Sequence, residues 1–265
     1  MFLLLFALCW CEARIGLSTG MQILLGVVLC IVLALLGSPA FEHYIRLQRI
    51  IRKEGYYKGG YVKELERMAK GDSMDSIVAR LDLISINIKM GELKRAEEVL
   101  LSIPADWVEY EKTKNNNNRI QLRNVGALYY NNAMVCYVYL KDRERVEKYY
   151  NAGIDTINAY LEAQDAVNDI IKGAMRTTIA AYHIMREEYD DALQLLNRIK
   201  AMVEEQNVKG DTSGILFSVT KQKAQILIKT QKYEEARLLL ENIRGKSDAP
   251  YYNQVVEEML EDISG

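Results

Sequence analysis

The stretch AQILIKTQKYEEARLLLENI, residues 224–243, indicates how this chain folds. An apolar run leads into the polar turn Thr230-Gln231-Lys232, and the run after the turn repeats apolar residues at three- and four-residue spacing. That spacing places apolar side chains on one face of a helix. The stretch therefore predicts two helices joined by a tight turn.

Three other stretches follow the same plan of apolar helix, polar turn and amphipathic helix. They cover residues 81–104, 134–154 and 179–199. Only 3 prolines and 16 glycines interrupt the 265 residues, and alternating patterns typical of strands are scarce. The sequence predicts an all-α fold built from helix pairs.

The turns of the pairs share parts of one pattern, in which a small residue or glycine closes the first helix, an aromatic residue or a leucine stands two positions on, and a small residue then precedes a large apolar one by four positions. The matching positions are Gly91, Leu93, Ala96 and Leu100, then Tyr189, Ala192 and Leu196, then Tyr233, Ala236 and Leu240, with a weaker match at Arg143, Val146 and Tyr150. Small residues let antiparallel helices approach closely, and large ones fill the space between pairs. In these positions residues 61–265 resemble the tetratricopeptide repeat family, in its degenerate bacterial, membrane-anchored form. Positions 96, 146, 192 and 236 are 50, 46 and 44 residues apart, whereas the family's usual period is about 34.

The resemblance implies a right-handed α-solenoid of antiparallel helix pairs whose first helices line a concave groove. The implied partner-binding residues are Asn131, Tyr139, Thr177, Met185, Lys221, Gln225 and Lys229, with Leu128, Val135 and Ala181 between them. A groove that is apolar in its middle and basic towards Lys221 and Lys229 suits a peptide with some acidic character. It lacks the full Lys/Asn/Arg set with which some family members clamp a terminal carboxylate, so binding of chaperone tails is not predicted.

The last amphipathic stretch, near the C-terminus, predicts a capping helix. Tyr252, Val256 and Leu260 lie on its apolar face, while Glu257 and Glu261 lie on the opposite one. A helical repeat array needs an end helix with a polar outer face.

Near the N-terminus, residues 15–41 contain no charged side chain, and ILLGVVLCIVLALLG (residues 23–37) is almost purely aliphatic. About 20 apolar residues span a bilayer as a helix, which predicts a transmembrane helix at 21–40. Basic residues follow it in the juxtamembrane segment 41–60, at Arg46, Arg49, Arg52, Lys53 and Lys58, whereas only Arg14, offset by Glu12, precedes it. The positive-inside rule then predicts a single-pass integral membrane protein with its C-terminal domain in the cytoplasm. The basic segment lies either against anionic headgroups or in solvent.

Residues 1–20 form an apolar extension with several interpretations. The extension is a second or re-entrant membrane segment, or translation starts at Met21 and residues 1–20 are not part of the protein. Separately, Ser38-Pro39-Ala40 fits the small-residue pattern of a signal-peptidase site, which would predict export.

No catalytic, nucleotide-binding or metal-binding motif is present. His183 takes a position where the repeat family has a core tyrosine, and Cys136 is the only cysteine outside the N-terminal region, which holds the other three. The formal charge of −2 argues against nucleic acid as a partner. The sequence therefore predicts no enzyme activity, cofactor or metal, but a membrane-anchored protein–protein interaction module. The alternatives are an outward-facing protein of envelope assembly and a regulator acting on response regulators.

Overall fold

The computed structural model describes residues 39–57, 59–104, 107, 119–164, 169–205 and 211–264. Within these ranges the chain forms eleven helices and no strand, which confirms the all-α prediction. The helices are α1 (Pro39–Glu54), α2 (Gly59–Met68), α3 (Met74–Met90), α4 (Leu93–Leu101), α5 (Arg119–Tyr139), α6 (Arg143–Glu162), α7 (Asp169–Met185), α8 (Tyr189–Glu205), α9 (Ser213–Lys229), α10 (Tyr233–Ile243) and α11 (Pro250–Asp262).

The chain divides into two compact units, Met1–Tyr61 and Val62–Gly265. The first unit contains α1, which ends on the basic residues Arg52 and Lys53. Except for the last two residues of 21–40, the predicted transmembrane helix and the extension 1–20 lie outside the described residues. No helix in the described part of the chain is both long and apolar enough to cross a bilayer.

The second unit contains four consecutive helix pairs. Helix α3 packs on α4, α5 on α6, α7 on α8 and α9 on α10, and short turns make each pair antiparallel. The first helices also lie side by side, in the order α3, α5, α7, α9, while each second helix contacts the first helix of the next pair. Helix α11 packs on both α10 and α3. The last element of the chain therefore contacts the first pair as well as the last.

The four turns within the pairs share one backbone conformation. Gly91, Lys141, Glu187 and Gln231 have positive φ angles of 82°, 58°, 66° and 61°. The residue after each of them donates its N–H to the carbonyl five positions earlier, as Glu92 does to Asn87 at 2.8 Å. This is the Schellman arrangement that ends a helix. Since only one of the four positions is a glycine, the sequence signals this stop clearly at Gly91 alone.

The small residues of the repeat pattern lie where helices approach most closely. Ala96, Ala192 and Ala236 are completely buried, and Val146 is 1 % exposed. The large residues Leu100, Leu196 and Leu240 are buried beside them. The aromatic position behaves differently, since Tyr233 is 45 % exposed. The alanine and leucine positions of the pattern are therefore buried, whereas the tyrosine of the last pair is exposed.

The first helices begin before the four stretches that show the repeat pattern. Helices α3, α5, α7 and α9 start at Met74, Arg119, Asp169 and Ser213, not at residues 81, 134, 179 and 224. In α3, nine residues spread around the helix are buried. A helix surrounded by neighbours has no single apolar face, so periodicity does not show where it begins.

Candidate functional site

The first helices of the four pairs and α11 enclose a cavity of about 340 Å³. Helix α3 contributes Ser85, Ile88 and Lys89, whereas α11 contributes Tyr252. The remaining lining residues come from α5, α7 and α9. No described residue of the second helices belongs to the lining.

Five of the seven residues predicted to bind a partner line this cavity. They are Asn131 and Tyr139 from α5, Thr177 from α7, and Lys221 and Gln225 from α9. The other two predicted residues lie elsewhere: Met185 packs against the hydrophobic core at the end of α7, and Lys229 is exposed at the end of α9. Each lies about one turn further along its helix than the last lining residue, Ala181 or Gln225.

Lys221 is a buried cation held by aromatic side chains. It is 9 % exposed, and its Nζ donates a hydrogen bond to Tyr139 Oη at 2.7 Å. The same Nζ lies 4.7 Å from the ring centre of Tyr139 and 5.3 Å from that of Tyr252. None of the described carboxylates forms an ion pair with it. Burial lowers the pKa of Lys221 below its usual value because the charged form is desolvated.

Gln222 presents a buried oxygen acceptor whose orientation is fixed. Its Nε2 donates to the Thr177 carbonyl at 3.0 Å, so the amide cannot be flipped without placing two oxygens together. Its Oε1 is then left without a partner among the described residues. A buried acceptor in this state costs about 1–3 kcal/mol.

A second acceptor is fixed by a chain of two amides on α5. Asn132 Nδ2 donates to the Leu81 carbonyl at 2.9 Å, which turns its Oδ1 towards Asn131 Nδ2 at 3.5 Å. Asn131 Oδ1 remains buried and unpaired within the described part of the chain. Asn131 and Gln222 both line the cavity. The lining residues thus include a buried cation and two buried acceptors that have no donor among the described residues.

The lining also includes a set of apolar residues, called here the apolar wall, which are Ile88, Leu128, Val135, Val138, Ile170 and Ile171. Lys89 is the second charged residue of the lining, and no described carboxylate belongs to it. A cavity lined by one sign of charge attracts ligands of the opposite sign. The arrangement therefore suits an anionic molecule with an apolar part.

Helix α11 forms one wall through two consecutive tyrosines. Tyr252 stacks on Tyr139, with ring centres 5.5 Å apart, and lies 6.4 Å from Phe217. Tyr251 reaches α3, where a Cβ added to Gly91 would lie 3.0 Å from its Cδ2. The sequence predicted α11 only as a polar cap, so its role in the cavity was missed.

A second group of polar residues lies at the turn between α7 and α8. His183 Nδ1 and Glu188 Oε2 are 2.7 Å apart, and Arg186 donates to the other oxygen of Glu188 at 2.7 Å. A carboxylate oxygen of Asp191 lies within 4.8 Å of both a ring nitrogen of His183 and a carboxylate oxygen of Glu188. Because Glu188 is already paired on both oxygens, this group is best described as an ion-pair network. His183 is half-buried in it and not part of the hydrophobic core.

Gln222, Asn132 and Tyr252 are site residues that the sequence reasoning missed. Asn132 and Gln222 could have been predicted from the sequence, because Asn131-Asn132 and Lys221-Gln222 are polar pairs between apolar stretches of their helices. Buried polar residues in such positions need partners, and a missing partner indicates a ligand. No protein-family model, curated protein or solved structure matches this chain.

Proposed function

We propose that this chain is a membrane-anchored interaction module that binds a segment of another protein in the cavity between its first helices. The observation that carries the proposal is the convergence of Asn131, Tyr139, Thr177, Lys221 and Gln225 on one cavity. These residues come from three helices, and the repeat pattern of the sequence alone predicts them to line a groove.

The chemistry of the lining favours binding over catalysis. It offers amide, hydroxyl and ammonium groups beside an apolar wall, which is the composition of a recognition site. General acid–base or nucleophilic chemistry requires a titrating group in contact with its partner. Among the described lining residues Lys221 and Tyr139 form one such pair, but no histidine, cysteine or carboxylate stands beside them to complete a proton relay.

The proposal retains the right-handed solenoid of tetratricopeptide-like pairs and the anchor at residues 21–40. Support for the repeat array comes from the four equivalent turns and the row of first helices. Support for the anchor comes from the uncharged stretch 15–41 and the arginines after it. A module held at the cytoplasmic face of a membrane would recruit its partner to that surface.

Filling the cavity tests the proposal. Peptides are selected from a display library on the full chain in detergent micelles, and their affinities are then measured for two variants. Ala181→Trp places an indole in the cavity, whereas Ala159→Trp makes the same change on the exposed side of α6. We expect Ala181→Trp to weaken binding at least about tenfold and Ala159→Trp to leave it unchanged. Equal binding by both variants would show that the partner docks elsewhere, and the proposal would be wrong.

A further inference from the structure

Lys221 retains hydrogen-bonding capacity that the protein does not use. An ammonium group has three N–H donors, and Lys221 gives one of them to Tyr139 Oη. The rings of Tyr139 and Tyr252 stabilise its charge by their π-faces, but none of the described carboxylates neutralises it. A carboxylate entering the cavity would supply the missing counter-charge through a charge-assisted hydrogen bond.

The two unpaired acceptors require the opposite kind of group. Gln222 Oε1 and Asn131 Oδ1 are buried, fixed in orientation and without donors among the described residues. A ligand N–H would satisfy each of them. The N–H belongs to an amide and not to an ammonium, because Lys221 and Lys89 already make the lining positive.

The size and the apolar wall define the rest of the ligand. A volume of about 340 Å³ lies at the small end of the range of about 300–1,000 Å³ that is typical of small-molecule sites. Ile88, Leu128 and Val135 offer contact for one apolar side chain.

We propose that the cavity binds a small molecule of the N-acyl amino acid class. Its carboxylate lies on Lys221, its amide N–H on Asn131 or Gln222, and its side chain against the apolar wall. This inference goes beyond the proposed function, because it assigns a small-molecule ligand to the same cavity and can be tested independently of protein binding. The last residue of a peptide chain also carries a carboxylate, an amide N–H and a side chain. The test therefore distinguishes a free N-acyl amino acid from the C-terminus of a protein.

The test is calorimetric titration of the full chain in detergent micelles. The probes are N-acetyl alanine, leucine, methionine and phenylalanine, each paired with its amide, which lacks the carboxylate. The compound 4-methylpentanoate reproduces N-acetyl leucine without its amide group. A tetrapeptide with the same final residue represents the chain terminus.

We expect at least one N-acetyl amino acid to bind, and both its amide and its N–H-free analogue to bind at least about tenfold more weakly. Lys221→Met should abolish the preference for the acid over the amide. Lys229→Met, on the exposed end of the same helix, should retain it. Helix content measured by circular dichroism verifies that each variant is folded.

Several results would overturn the inference. One is equal binding of acid and amide, another is a preference that survives Lys221→Met, and a third is no binding of any probe at about 10 mM. A tetrapeptide that binds more than tenfold better than the free acid would identify a chain terminus as the ligand instead. If the small probes fail while Ala181→Trp still weakens the selected peptides, only this inference is wrong. If Ala181→Trp leaves those peptides unaffected while the acid preference depends on Lys221, only the proposed function is wrong.

Discussion

At the scale of single residues, the burial of Lys221 lowers the free energy of unfolding. A buried charge without a counter-ion is destabilising, and an apolar residue of similar volume in its place is often neutral or stabilising. Tyr139 and Tyr252 offset part of that cost through the hydrogen bond and the π-faces. A residue that costs stability while lining a cavity is characteristic of a binding site.

The first prediction is that Lys221→Met does not destabilise the protein. We expect its free energy of unfolding to equal that of the parent or to exceed it by up to about 3 kcal/mol, because the desolvation cost disappears. Urea unfolding followed by circular dichroism measures this. Lys229→Met is the control, and its exposed position should keep its effect within about 0.5 kcal/mol. A loss of more than about 1 kcal/mol in Lys221→Met would mean that Lys221 serves the fold.

The second prediction concerns pH. Burial lowers the pKa of Lys221 below 10.5, so the unfolded chain binds this proton more tightly and stability rises with pH across the interval between the two values. Below the folded-state pKa, the free-energy cost of burying the charge of Lys221 is fully present. Above 10.5 the side chain is neutral in both states and this cost has disappeared. The stability gain of Lys221→Met should therefore be largest at neutral pH and shrink as pH rises towards that value.

Urea unfolding of both proteins at a series of pH values measures this difference. The titratable groups in contact with Lys221 are Tyr139 from α5 and Tyr252 from α11, and Lys89 from α3 belongs to the same lining. They are common to both proteins, and burial raises the pKa of Tyr139, which keeps it neutral. A difference that stays constant between pH 7 and about 10.5 would contradict the assigned shift.

At the scale of elements, three of the four equivalent turns carry backbone strain. Lys141, Glu187 and Gln231 adopt the left-handed conformation that Gly91 adopts without a steric penalty. All three side chains are exposed, so removing them loses no packing. The helix stop is therefore set by the packing of the pair and not by the residue type.

The third prediction is that glycine at these turns stabilises the protein. Lys141→Gly, Glu187→Gly and Gln231→Gly should each raise the free energy of unfolding by roughly 0.5–1 kcal/mol, because the steric penalty of the left-handed conformation disappears. Urea unfolding measures each change. The matched alanine variants keep the Cβ atom and should show no gain. An equal gain for alanine and glycine would point to the side chains and not to the backbone.

The fourth prediction is that Gly153→Ala destabilises the second pair. Gly153 on α6 packs directly under the ring of Tyr130 on α5, so a methyl group has no room there. Overpacking of this kind costs about 1–3 kcal/mol. Ala152 is the exposed neighbour, and Ala152→Ser should change stability by less than about 0.5 kcal/mol. Full stability of Gly153→Ala in urea unfolding would show that the two helices can separate without cost.

The sequence predicted the second helices better than the first, for a physical reason. Helices such as α10 have one buried face, with Ala236 and Leu240 on it, so their pattern is readable. Helix α9 buries Lys221 and Gln222 together with Phe217 and Ile226, so polarity does not mark its exposed side. Five groove residues could be predicted because they occupy equivalent positions on neighbouring first helices. Tyr252 was missed because its position depends on where α11 returns, which no local pattern encodes.

At the scale of the whole second unit, α11 introduces a long-range connection. In a simple repeat array each pair contacts only its neighbours, and stability is a sum of local terms. Here α11 packs on α10 and also on α3, whose C-terminal Gly91 faces Tyr251. The first and last pairs should therefore resist unfolding together, with the cavity between them.

The fifth prediction tests this coupling by hydrogen exchange. Tyr251→Ala removes the contact with Gly91, so amides of α3 should lose protection although they lie more than 150 residues away in the sequence. Local openings with separate free energies are visible in this measurement. Leu238→Ala on α10 is the control, because Leu238 is 74 % exposed, and it should leave α3 unchanged. If Tyr251→Ala lowers protection only in α10 and α11, the contact with α3 contributes nothing to stability. A loss that reaches α3 would make α11 the element that holds the wall of the cavity in place, and ligand binding should then restore protection to α3 and α11 at once.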